Sequence, residues 1–107
     1  MAEIVVNADG NRRLVAMAVG DSLRLELPEN PETGFRWQME PSSLEGVSAL
    51  WLQSVDHQMV GREEGSGRRV FRFSAEAAGQ ASLCLELAPA WEGGAARERF
   101  VITIDVR

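Results

Sequence analysis

One cysteine and one histidine in 107 residues leave little for chemistry. Cys84 alone cannot close an internal disulfide, so the fold must hold by packing, and cysteine usage leaves the redox compartment open. His57 alone removes metal sites built from several histidines and leaves one candidate general base. Positive charge is short as well. Eleven Lys and Arg against 16 Asp and Glu give a net charge of −5 and an isoelectric point near 4.8, opposite to the electrostatic footprint of duplex DNA or RNA binding. Arg68, Arg69 and Arg72 are offset by Glu63 and Glu64 close by. No apolar run is long enough to cross a bilayer, and the opening "MAEIVVNADG" has neither a basic n-region nor an apolar h-region. The expectations are no nucleic-acid partner, no membrane role, and a chain that is cytoplasmic as written, or periplasmic or secreted if a signal peptide was removed.

Sustained helical periodicity is also missing. Only "PSSLEGVSAL" has a spacing of three to four, and it is short and holds a glycine. What is present is an ordinary globular composition, 45% hydrophobic and 25% charged, laid out with a period of two. Leu23, Leu25 and Leu27 share one face of "SLRLEL". Phe71 and Phe73 share one face of "RVFRFS", opposite Val70, Arg72 and Ser74. Ala81, Leu83, Leu85 and Leu87 alternate in "ASLCLEL", as do Phe100, Ile102, Ile104 and Val106 in "RFVITIDV". Each is the pattern of a half-buried strand. "EIVV", "RLVAMAV", "FRWQM" and "LWLQSVDHQMV" read as further strands with less regular alternation, and Asp, Asn, Gly and Pro clusters punctuate the gaps. Short strands separated by turns predict an all-β protein, an immunoglobulin-like antiparallel β-sandwich of seven or eight strands, with Trp37 as a buried core tryptophan. At this length residues 1–107 form a single domain, expected to be a monomer.

A catalytic set is not apparent. His57 lies in a strand, where a solitary histidine is an ordinary surface or packing residue, and Cys84 points away from the leucines around it. Glu63 and Glu64 read as a solvated charge pair. "GSG" lacks the Lys-Ser/Thr that follows a phosphate-binding loop. The chain is expected to be no enzyme, and to use no cofactor and no metal.

Three loops are more informative. In "ENPETGFRW" Pro31 fixes its own φ and holds Asn30 extended, while Gly34 permits the positive φ that closes a turn. The result is a stiff loop rather than a floppy one, and a preordered loop loses less entropy on docking. "GREEGSGRRVFRF" sets Gly65-Ser66-Gly67 before one alternating strand. "LELAPAWEGG" places Pro89 and Trp91 after another. Greek-key connections gather such loops at one end of a sandwich.

This ordered set resembles the chagasin-like inhibitors of papain-family cysteine peptidases, which carry an Asn-Pro-Thr-Thr-Gly-aromatic loop, a Gly-x-Gly-Gly loop and an Arg-Pro-Trp-type loop on an immunoglobulin-like sandwich. Asn30, Pro31, Glu32, Thr33, Gly34 and Phe35 match the first; Gly65, Ser66, Gly67 and Arg68 the second; Pro89, Ala90 and Trp91 the third. The similarity extends to "AVGDSLRLELPENP", "AAGQASLCLEL" and "ERFVITIDV". Glu32 stands where the family has Thr or Ser, Arg68 replaces a glycine, and Pro89-Ala90 replace Arg-Pro. The resemblance implies reversible occlusion of a papain-like cleft, the first loop over the catalytic cysteine and the other two gripping the walls, with Trp91 as an anchor. The alternative is an immunoglobulin-like interaction module that has kept the sandwich and lost inhibition.

Overall fold

The alternating segments form eight strands in the computed structural model, which describes residues 2–30, 33–44, 47–59, 67–89 and 95–107. They are β1 (Glu3–Val6), β2 (Leu14–Met17), β3 (Ser22–Pro28), β4 (Phe35–Met39), β5 (Leu50–Met59), β6 (Gly67–Ala75), β7 (Gly79–Pro89) and β8 (Glu98–Val106). One four-stranded sheet has the order β1-β3-β6-β5 and the other β2-β8-β7-β4. The expected all-β sandwich is therefore present, with the upper of the two strand counts. Its interior ladders are antiparallel, but β1 lies parallel to β3 and β2 parallel to β8. These two edge strands, one per sheet, come from one N-terminal stretch. A single 3-10 turn at Ala8–Gly10, with the Asn7 side chain accepting from Asp9 N–H, carries it from one sheet to the other.

Between the sheets lie the residues that alternation assigns inward. Leu23, Leu25, Leu27, Phe71 and Phe73 of one sheet meet Trp37, Leu83, Leu85, Phe100, Ile102 and Ile104 of the other, each at most 4% exposed. Burying one such side chain contributes roughly 1.5–3 kcal/mol.

Three local outcomes depart from simple alternation. β5 carries a bulge between Leu52 and Ser54 that shifts its phase, so Leu50 and Leu52 face inward before it and Val55 and His57 after it. Val70 is fully buried although it faces outward. Its cross-strand neighbours are Glu26 and Asp56, which pair with Arg68 and Arg72 at 3.2 and 3.1 Å, so the valine sits among two ion pairs on the outer face. Thirdly, the helical spacing of "PSSLEGVSAL" yields only a 3-10 turn at Pro41–Ser43 among the described residues; Glu45 and Gly46 lie outside them. The buried Ser43 hydroxyl instead accepts from Cys84 N–H at 3.0 Å, docking the segment onto β7.

The ladders also set polarity. β3 ends at Pro28 opposite Arg68, β6 begins at Gly67, and β7 ends at Pro89 opposite Phe35. The links 28–35, 59–67 and 89–98 thus share one end of the sandwich. The opposite end holds both chain ends: Glu3 is level with Ser22, and Arg107 follows Val106, which is paired with Gly79.

Candidate functional site

The first loop is closed by its own side chains. The Asn30 carbonyl accepts from Thr33 N–H at 3.2 Å and from the Thr33 hydroxyl at 2.8 Å. The same hydroxyl accepts from Phe35 N–H at 3.2 Å. Gly34 has φ +76°, a left-handed conformation that glycine adopts without the cost a Cβ imposes. Asn30 and Thr33 are exposed, while Gly34 and Phe35 are half-buried. Pro31 and Glu32 lie outside the described residues.

Gly67 and Arg68 are the described part of the second loop; Gly65 and Ser66 fall outside. A Cβ on Gly67 would stand 2.7 Å from the His57 ring, so any larger residue there would have to push that imidazole aside. Arg68 reaches Glu26 Oε2 at 3.2 Å and Gln58 Oε1 at 3.4 Å. Of the three arginines, the partners among the described residues come from across the sheet: Arg68 with Glu26, Arg69 with Glu29, Arg72 with Asp56. Sequence proximity pointed instead to Glu63 and Glu64, which lie outside the described residues.

Of the third loop, Pro89 is described and Ala90 and Trp91 are not. Pro89 is buried and pairs with Phe35, joining the third loop's start to the first loop's end. On the far side of that loop, Arg97 N–H donates to the Leu87 carbonyl at 2.7 Å. The Arg97 guanidinium lies 4.1 Å from the Phe35 ring centroid, a cation–π contact between the first and third loops. Asn30, Thr33, Gly67, Arg68, Leu87 and Arg97 all line one open groove of about 760 Å³.

At the floor of the groove, which Glu29 helps to line, is a buried polar cluster that reading by motif passes over. The Glu29 side chain is 1% exposed and takes a bidentate contact from Arg69, Nη2 at 2.6 Å and Nε at 3.0 Å from Oε2. Its other oxygen accepts from Trp37 N–H at 2.6 Å, and Trp37 Nε1–H donates to the Pro28 carbonyl at 2.8 Å. Its signal was in the alternation: Glu29 continues the inward phase of Leu23, Leu25 and Leu27, and Arg69 that of Phe71 and Phe73. Cys84 lies on the other sheet, half-buried, where burial first and a hydrogen bond with Glu40 second push its thiol up, away from nucleophilic character.

The model of the family described as Chagasin family peptidase inhibitor I42 matches residues 16–105. The chain belongs to this family. The matched span contains all three loop segments, β3 to β7 whole, and parts of β2 and β8. No curated protein sequence matches the chain. Solved structures share the chagasin-family fold at low identity. The cysteine protease inhibitor EhICP2 from Entamoeba histolytica is 18% identical with a TM-score of 0.86, over 100% of this chain and 97% of that one. Amebosin is 17% identical with a TM-score of 0.72, over 98% of each chain. PbICP-C, solved in complex with falcipain-2, is 12% identical with a TM-score of 0.56, over 98% of this chain and 89% of the other.

Proposed function

We propose that this chagasin-family protein is a reversible, tight-binding inhibitor of papain-like cysteine peptidases that closes the catalytic cleft with three loops. One observation carries the reading: the stems of the three motif-bearing segments border a single groove, and cross-links join the first loop to each of the others. Phe35 meets Arg97 and Pro89 on one side, and Glu29 N–H donates to the Gly67 carbonyl on the other. Loops so tied lose little freedom on docking, which favours tight association. Inhibitor interfaces of this type bury roughly 1,600 Å² in total, with most of the energy in a few anchors.

In this mechanism Asn30, Pro31, Glu32, Thr33, Gly34 and Phe35 enter the cleft over the catalytic cysteine. Gly65, Ser66, Gly67 and Arg68 meet one wall, and Trp91 with Ala90 meets the other, while buried Pro89 holds Phe35 from behind. The domain, residues 1–107, acts as a monomer, turns nothing over, uses no cofactor, and addresses neither nucleic acid nor membrane. Its partner belongs to the class named for related inhibitors, cysteine proteases.

Titration against active papain and a cathepsin L-like enzyme with a small fluorogenic substrate tests this. The expected result is stoichiometric, reversible loss of activity, weakened by about 2 kcal/mol or more in Trp91→Ala. Absence of inhibition at micromolar concentration would overturn the reading.

A further inference from the structure

The cluster at the floor of the groove ties the stem of the first loop to that of the second. Glu29 directly precedes Asn30, and four contacts leave this one residue. Oε1 takes Trp37 N–H at 2.6 Å, reaching from the end of β3 to β4 in the opposite sheet. Oε2 takes Arg69 Nη2–H at 2.6 Å, from the second residue after Gly67. The Glu29 N–H holds the Gly67 carbonyl at 3.1 Å. His57 Nε2 lies 3.8 Å from Oε2 and 3.4 Å from the Glu29 carbonyl, with its ring against Gly67.

Well-packed apolar residues in place of a buried ion pair generally hold a core as firmly or more so, so stability alone gives no reason for a charge here. Geometry does. Oε2 is held by Arg69 of β6, and Oε1 is shared between Trp37 N–H of β4 and Arg69 Nε at 3.3 Å, so one carboxylate ties both strands to the end of β3 and fixes where β3 ends relative to β4 and β6. Those three strand ends carry the first and second loops.

We propose that Glu29, with Arg69, is a positioning residue for peptidase binding: it sets the first loop against the second without touching the peptidase. This deepens the inhibitor reading and rests on it for its functional arm. The decisive variant is the double substitution Glu29→Met with Arg69→Met, which removes the brace and leaves neither partner as an unpaired buried charge. We expect it to stay folded with a cooperative melt, somewhat lowered because Trp37 N–H loses its acceptor, to inhibit papain about tenfold more weakly at temperatures well below that melt because its loops must order on docking, and to exchange the Thr33 and Phe35 amide hydrogens faster in the free state. Glu29→Gln keeps an acceptor for Trp37 N–H and is expected to lose only about threefold, a partial rescue that a bulk stability effect would not produce. Unchanged inhibition and unchanged loop exchange in the double variant overturn the proposal. If the unaltered protein does not inhibit papain at all, the function proposed above falls instead. The exchange arm then still decides the brace: unaltered exchange at Thr33 and Phe35 overturns it, and faster exchange upholds it.

Discussion

Asp21 holds two backbone amides at once, Ala2 N–H on Oδ1 and Ala18 N–H on Oδ2, both at 2.9 Å. Those hydrogen bonds, Ala2 first and Ala18 second, keep its carboxyl below the ordinary carboxylate range. A lowered value in the folded state means the group adds stability above its unfolded pKa and loses that contribution as pH falls through the folded one. Asp21→Asn should therefore lower the denaturant midpoint at pH 7 and flatten its fall below about pH 4; an unchanged acid limb in a midpoint-against-pH series would contradict this. In the proposed complex Glu32 poses an opposed electrostatic problem. Within about 4 Å of a cysteine thiolate its charge is repelled by about 1 kcal/mol at water-like dielectric and about 4 at an effective value of 20, and the paired imidazolium attracts it by a similar amount. Because the attraction offsets most but not all of the repulsion, Glu32→Thr should tighten papain inhibition modestly, read from the inhibition constants of the two proteins; equal or weaker inhibition would count against a cleft position for Glu32.

Strands show where alternation is legible and where it is not. β3, β7 and β8 each have one face in the core and one in solvent, so polar and apolar residues separate cleanly and the inward set could be named in advance. β5 is an edge strand with a bulge, and its change of phase made "LWLQSVDHQMV" look like a mixed apolar run. Val70 defeated the same rule, being fully buried on the outer face among the Arg68–Glu26 and Arg72–Asp56 pairs. Glu29 and Arg69 were readable in phase but not in role, since a pattern reports direction and not the partner met at the end of it. The loop motifs worked the other way: their residues were legible, whereas their convergence required the ladders. The two faces of one sheet also predict unequal costs. Leu25→Ala, at a fully buried site, should lose about 2–5 kcal/mol, whereas Trp51→Ala, at a side chain 65% exposed on the outer face of β5, should stay within about 0.5 kcal/mol. Urea unfolding of both variants measures the contrast, and similar losses would mean that Trp51 is covered in solution.

Long-range pairing dominates the whole assembly. β1 pairs with β3 19 residues away, β3 with β6 40 to 52 away and β2 with β8 89 away, so loop-closure entropy opposes folding before most contacts can form. Refolding from urea should take milliseconds to seconds rather than microseconds, as for other all-β sandwiches; a microsecond phase carrying the full amplitude in temperature-jump measurements would contradict this. The same layout has a mechanical side. Residues 2 and 107 both leave the sandwich at the end away from the loops. A bead, surface or fused domain attached at either point leaves the groove clear. Tension applied between the two points acts across β1 and β8 from their outer ends, peeling backbone hydrogen bonds one after another instead of shearing a ladder at once. The molecule is thus built to be held from behind while its front remains available, and to yield at modest force when pulled.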